Sequence, residues 1–233
     1  MSVFYATHTG LVRADNQDSL LCLEIPLLLA VADGMGGHRG GRRASELALE
    51  VLERELSAFA GGSARLAMRQ AFEQANQQVL QAAQADATLA GMGTTMCVLW
   101  RVDDDWIIGN VGDSRAYRLG SDGLEQITRD DTAVAEMVRT GKITQEQSQN
   151  HPSRHLLTQA VGTVGRMVPQ IFALPQGERF LLCSDGLYTH VSDQEIAAAL
   201  GQQNDGENIA AELVALALER GGSDNVTVVV AVP

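Results

Sequence analysis

Two periods of apolar and polar positions run along this chain, and they assign its elements. The strongest signal is Leu27-Leu28-Leu29-Ala30-Val31-Ala32, which leads into Asp33-Gly34-Met35-Gly36-Gly37-His38. The apolar run is too short to cross a bilayer, which takes about 20 such residues. It predicts a strand buried on both faces, with Asp33 presented at its end and a glycine loop beyond. Before it, Ser2 to Thr9 and Ser19 to Glu24 predict strands joined by a polar, turn-rich segment. After it, helical spacing covers Arg42 to Phe59 through Leu47, Val51 and Leu52, and Gly61-Gly62 stops that helix. Ser63 caps a second helix, with Leu66, Phe72, Ala75 and Val79 on its apolar side.

Strands and turns dominate the middle of the chain. Gly93 to Arg101, Trp106 to Asn110, Ser114 to Leu119 and Leu124 to Thr128 are short strands. Asp103-Asp104-Asp105 and Gly120-Ser121-Asp122-Gly123 turn the chain between them, a rhythm that predicts antiparallel sheet. Asp131 to Arg139 has weak helical character, and Gly141 to Val161 reads as an irregular surface excursion. Pro169 to Leu174 and Phe180 to Ser184 are strands, and Ser192-Asp193-Gln194-Glu195 is a capping box opening a helix through Leu200. Glu207 to Glu219 is a last helix and Val226 to Val232 a closing strand. With no repeat, linker or low-complexity tract, residues 1–233 are expected to form a single domain.

Composition narrows the partners. At 45% hydrophobic and 20% charged residues, the chain can fill a sizeable core. Its net charge of −12 argues against non-specific nucleic-acid binding and against a basic membrane-surface helix. Cys22, Cys97 and Cys183 are scattered and form no CxxC pair, which suggests reduced, buried thiols and a cytoplasmic setting. Met1-Ser2-Val3-Phe4 has no basic n-region, so no signal peptide is expected, and with no membrane-length segment in the chain no membrane association is expected either.

Two nucleotide-loop readings of the glycines fail on spacing. From Gly34, the sixth position of a dinucleotide fingerprint is Arg39 rather than glycine. From Gly36, a phosphate loop would place Arg42-Arg43 where Lys-Ser/Thr is required. Asp33 could still be an ordinary turn former. Yet Asp33, Asp113, Asp185 and Asp224 all sit where strand text meets a glycine-containing turn. If those edges converge, each pair of carboxylates about 4 Å apart repels by roughly 4 kcal/mol at an effective dielectric near 20. Divalent cations remove that repulsion, and all-oxygen ligation selects Mg²⁺ or Mn²⁺ over zinc.

Six motifs occur in one order: Arg13-x-x-Asn16-Gln17-Asp18, Asp33-Gly34-Met35-Gly36-Gly37-His38, Gly91-Met92-Gly93-Thr94-Thr95, Gly109-Asn110-Val111-Gly112-Asp113-Ser114-Arg115, Ser184-Asp185-Gly186-Leu187 and Ser223-Asp224-Asn225. This pattern resembles the metal-dependent serine/threonine phosphatases of the protein phosphatase 2C family, in their compact bacterial form. The resemblance implies an α+β fold: two antiparallel sheets packed as a central sandwich, flanked by helices on both sides. It also implies two or three Mn²⁺ or Mg²⁺ ions and hydrolysis of phosphoserine and phosphothreonine by a metal-bridging hydroxide. By position, Asp33 would bridge two metals and the Gly34 carbonyl would ligate the second. Asp185 and Asp224 would complete the first site, and Asp113 with Asp185 would hold a third metal. Asp18 would hold metal-bound water, and Arg13 would grip the phosphate.

Several positions depart from the family's pattern. Gln17 stands where many relatives have Glu, and Met35 where some have a His proposed as general acid. His38 is the nearest imidazole, to be weighed as the acid or as a structural hydrogen-bonding group. Asp131-Thr132 replaces a common His-Ser, and Met137 to Val161 falls where the family has its mobile flap. The implied partners are phosphoproteins and an opposing serine/threonine kinase, with a monomer as the family default. A non-catalytic phosphoprotein-binding module and a hydrolase of small phosphoesters are the rival functions.

Overall fold

The computed structural model describes residues 1–149, 151–163, 167–174, 179–202 and 207–233, with backbone only at His38, Gln149, Glu207 and Asn208. In chain order the strands are β1 (Ser2–His8), β2 (Asp18–Glu24), β3 (Leu27–Met35), β4 (Gly93–Thr94), β5 (Met96–Val102), β6 (Asp105–Val111), β7 (Arg115–Gly120), β8 (Gly123–Gln126), β9 (Gln170–Leu174), β10 (Arg179–Cys183) and β11 (Val226–Val232). The helices are α1 (Gly37–Ser57), α2 (Ala64–Ala85), α3 (Ala133–Arg139), α4 (Gln145–Gln149), α5 (Asp185–Tyr188), α6 (Asp193–Leu200) and α7 (Glu207–Glu219).

The strands form two sheets, one ordered β1-β11-β10-β7-β8 and the other β2-β3-β5-β6-β9, with β4 paired to β3. Every pairing is antiparallel. The register explains the unbroken apolar text of β3. Leu29 and Val31, beside Cys97 and Leu99 of the neighbouring β5, face the other sheet and join Phe180, Leu182, Val229 and Ala231 in one cluster. Leu28, Ala30 and Ala32 point the opposite way, under Ala48 and Leu52 of α1 and Phe72 of α2. The other sheet repeats this logic: Val226, Val228 and Val230 pack under Ile196 and Leu200 of α6 and Leu213 of α7. Each fully buried Leu or Val contributes about 1.5–3 kcal/mol, so this layered core fixes the strand ends firmly.

Several boundaries differ from the sequence expectation. The helix expected from Arg42 begins at Gly37, so most of the anticipated glycine loop is the first turns of α1. A Cβ on Gly34 would lie 2.1 Å from the Gly41 carbonyl oxygen, and one on Gly41 would lie 2.2 Å from Gln17 Oε1. These glycines serve close packing of a helix start against strand ends, more than loop mobility. The strand expected over Gly93 to Arg101 breaks at Thr95, and the excursion after Gly141 contains the short helix α4. Ser63 caps α2 by accepting from the Leu66 amide, and the Ser192–Glu195 capping box is present. The three cysteines are free thiols, with Cys97 and Cys183 buried and Cys22 partly so. Among the described residues, no helix is long and apolar enough to cross a membrane.

Candidate metal centre

One end of the sandwich gathers the acids. Asp18 opens β2 and stands directly opposite Asp33 in the β2–β3 register. Asp113 lies in the turn leaving β6, Asp185 begins α5 just after β10, and Asp224 lies two residues before β11. Burial pushes the Asp33 pKa well above the carboxylate range, and the charges of Asp18, Asp185, Asp113 and Asp224 push it further. Those five aspartates therefore share one electrostatic environment. Burial likewise raises Asp18 from 3.8 to about 7, against the pull of its Ser184 and Thr227 hydrogen bonds. Asp113 rises to about 7, first through burial and then through Asp185 and Asp130.

Short polar side chains hold these carboxylates in place. The hydroxyls of Ser184 and Thr227 each donate to Asp18 Oδ2 at 2.7 Å. Thr95 Oγ1 accepts from the Asp33 amide at 2.9 Å, while Thr94 Oγ1 and the Thr95 amide donate to the Asp33 carbonyl. Asn225 ties the loop before β2 to the Asp224 turn, donating to the carbonyls of Thr9 and Asp15 and accepting from the Gln17 amide. Gln17 reaches the Gly37 carbonyl at the start of α1. Gly34 is buried in β3, paired with Thr94.

Two oxygens in this cluster have no partner among the described residues although they are buried, Asp18 Oδ1 and Asp185 Oδ1. Buried carboxylate oxygens ordinarily find a donor or a cation. The donor set, all oxygen, fits a hard divalent ion. Among the described residues no three His, Cys, Asp or Glu side chains close into a cage by themselves.

Arg13 also meets this end. Its Nη2 donates to Asp224 Oδ2 at 2.7 Å, with the guanidinium largely exposed. The side chain of His38 lies outside the described residues, its backbone falling in the first turn of α1. A different imidazole is described here, one the sequence reading passed over. His155, in the excursion, places Nδ1 3.8 Å from Asp185 Oδ2, an ionic contact too long for a hydrogen bond. The Asp185 carboxylate holds the His155 pKa above its ordinary value. Nothing local in Ser153-Arg154-His155 marks it; only the path of the excursion brings it in. An open hollow of about 740 Å³ lies elsewhere, around Phe4, Glu24, Ile25 and Arg101 at the far end of the β2–β3 hairpin.

Residues 7–216 match the family described as protein phosphatase 2C. The chain belongs to the protein phosphatase 2C family. It is 40% identical over 225 residues to the serine/threonine protein phosphatase PstP of Mycobacterium tuberculosis strain H37Rv, covering 95% of this chain and 43% of that protein. The chain thus spans less than half the length of that relative. It is 34% identical to the serine/threonine phosphatase stp of Listeria monocytogenes strain EGD-e, over 98% of this chain and 94% of that one. Its fold is similar to a crystal structure of the PstP catalytic domain in complex with two manganese ions, with a TM-score of 0.88 and 36% identity over 99% of this chain and 97% of that one. The sandwich with helices on both sides is therefore the protein phosphatase 2C fold.

Proposed function

We propose that this chain is a divalent-metal-dependent protein serine/threonine phosphatase that hydrolyses phosphoserine and phosphothreonine in proteins. The observation that carries the reading is the pair of buried, unpartnered oxygens on Asp18 and Asp185 within a group of five aspartates. Family membership supports the same reading. When bound, two or three Mn²⁺ or Mg²⁺ ions supply an activated water at neutral pH and neutralise charge on the phosphoryl oxygens. Asp33, the Gly34 carbonyl, Asp185 and Asp224 are the groups to hold two of them, and Asp113 with Asp185 a third.

The protein's own groups do the rest. Asp18, fixed by Ser184 and Thr227, keeps one carboxylate oxygen free to orient a water. Among the described residues Arg13 bonds only through Nη2, which leaves its other N–H groups to fork onto phosphate oxygens as a Lys could not. Protonation of the departing seryl or threonyl oxygen falls to an imidazole, His38 or His155. The segment from Met137 to Val161 selects the phosphoprotein, and a cytoplasmic serine/threonine kinase supplies it. The working unit is a monomer, a single domain.

The test is phosphate release from a phosphothreonine peptide, with Mn²⁺ and with chelator, for the wild type and Asp33→Asn. Turnover that needs metal and falls by more than about 100-fold in the variant is expected. Absence of turnover in a wild type that demonstrably binds Mn²⁺ would favour a phosphoprotein-binding module, with Gln17 the first position to revisit. Faster release from nucleotides or sugar phosphates than from phosphopeptides would favour the small-molecule hydrolase.

A further inference from the structure

Asp131 stands in the segment between β8 and α3, outside the carboxylate cluster, yet it bonds to two parts of the molecule at once. Its amide donates to the Gly112 carbonyl at 3.0 Å, and its Oδ2 accepts from the Gly112 amide at 3.1 Å. This closed pair of bonds holds the residue just before Asp113. Gly112 has φ 98°, and a Cβ there would meet Thr95 Cγ2 at 2.6 Å, so the turn is tightly confined. On the other side, the Asp131 carbonyl accepts from the Thr158 amide at 2.7 Å. Thr132 bridges Leu157, and the Ala133 amide donates to the Leu156 carbonyl at 2.8 Å. Residues 131–133 thus zip onto residues 156–158, closing the base of the excursion that carries His155 to Asp185.

We propose that Asp131 is a positioning residue that couples the Gly112–Asp113 turn to residues 156–158 of the excursion. Ligation at Asp113 and closure of the excursion are then one equilibrium. The proposal rests on the phosphatase reading in one respect, that Asp113 is a metal ligand. Besides the backbone contacts, the Asp131 side chain accepts from Gln170 Nε2 through Oδ1 at 3.5 Å and, more closely, through Oδ2 from the Gly112 amide. Asp131→Asn keeps an acceptor for that amide, and Asp131→Ala removes it and leaves the turn held on one side.

The sequence supplies the probe. Lys142 is the chain's sole lysine, and it is exposed just after α3. The amides of Lys142 and Ile143 both bond to the Met137 carbonyl, so a lysine-specific endoproteinase cuts only when this part of the excursion opens. Cleavage would be followed on the intact protein, with and without Mn²⁺, for wild type, Asp131→Asn and Asp131→Ala, with a lysine peptide as control for the endoproteinase. Mn²⁺ is expected to slow cleavage of the wild type and the Asn variant. Cleavage of the Ala variant should be about fivefold faster, the factor for one lost hydrogen bond, and no longer respond to Mn²⁺. Mn²⁺ titration calorimetry should show the weakest binding step loosened about tenfold in the Ala variant alone. An Ala variant matching wild type in cleavage and in calorimetry would overturn the proposal. So would an Asn variant as damaged as the Ala variant, which would assign the effect to charge. Wild type that lacks turnover but shows the Mn²⁺-dependent cleavage pattern would sink the phosphatase reading and leave the coupling standing.

Discussion

Replacing Asp18 by Asn should make the metal-free protein more stable at alkaline pH. Burial raises the Asp18 pKa from 3.8 to about 7. Its carboxylate is therefore harder to ionise folded than unfolded, and the full difference corresponds to about 4 kcal/mol. The sign follows from the direction of the shift. Well below pH 3.8 the group is neutral in both states and costs nothing. As pH rises from 3.8 towards 7 the unfolded chain ionises while the folded one stays protonated, so the folded state loses stability, and the loss levels off above 7. Between pH 5 and pH 8 this loss grows by roughly 2–3 kcal/mol. Asp33 and Asp113, also raised, add losses of the same sign.

Asp18→Asn removes the charge and keeps an acceptor for the hydroxyls of Ser184 and Thr227. It also puts an amide nitrogen where the unpartnered Oδ1 stands, a cost of about 1–3 kcal/mol that does not depend on pH. The variant should be about as stable as wild type at pH 5 and about 2 kcal/mol more stable at pH 8. For a chain of this size that is about 4–8 °C in melting temperature. Urea unfolding in chelator at both pH values reads the difference. Saturating Mn²⁺ should reverse the order, because an ion that binds the folded wild type at 100 times its Kd adds about 2.7 kcal/mol by mass action. A stability difference that does not change with pH would refute the reasoning, as would a wild-type melting temperature indifferent to chelator.

Two further outcomes rest on other contacts. The Arg115 guanidinium forks onto both oxygens of Asp130 at 3.0 and 2.7 Å and lies 3.5 Å over the Tyr188 ring; Arg115→Met strands a largely buried Asp130 and should cost about 3–5 kcal/mol in urea unfolding, with a loss below about 1 kcal/mol counting against the ion pair. If His155 protonates the leaving oxygen, His155→Ala should lower kcat on phosphothreonine peptide by about 100-fold. It should leave p-nitrophenyl phosphate, whose leaving group needs no proton, nearly untouched; the same pair of rates for His38→Ala would point to His38 if only that variant shows the split.

Much of this fold was legible because burial writes itself into period. Val226–Val232 and Glu207–Glu219 coincide with the predicted limits, since a doubly buried strand and an amphipathic helix carry unambiguous patterns. The start of α1 was misread because Gly37, Gly40 and Gly41 look like loop text, and only the close approach of Gly34 to Gly41 explains glycine inside a helix. The short helix at Asp185 left no periodic signal. At the candidate site, the strand-to-turn position of Asp33, Asp113, Asp185 and Asp224 was visible residue by residue. Their meeting was not, because it depends on strand order. Asp18 shows the limit best: its text is a polar turn, and only its place opposite Asp33 in the β2–β3 register, under Ser184 and Thr227, marks it as buried.

The same layered core that makes the fold legible accounts for the strain at its edge. Carboxylates on flexible loops would separate until their repulsion fell to a fraction of a kcal/mol. Here they are fixed by the ends of strands packed into the layered core, and by hydroxyl and amide clamps from Thr94, Thr95, Ser184, Thr227 and Asn225. The core cannot relax without exposing Leu29, Val31 and their partners, so the repulsion is retained in the folded state and stands ready to be relieved by a cation. Affinity for metal and instability without it are thus one quantity seen from two sides. A substitution that quiets the cluster, such as Asp18→Asn, should raise the stability of the metal-free protein and lower its hold on Mn²⁺ together, whereas one in the remote apolar layers should change stability alone.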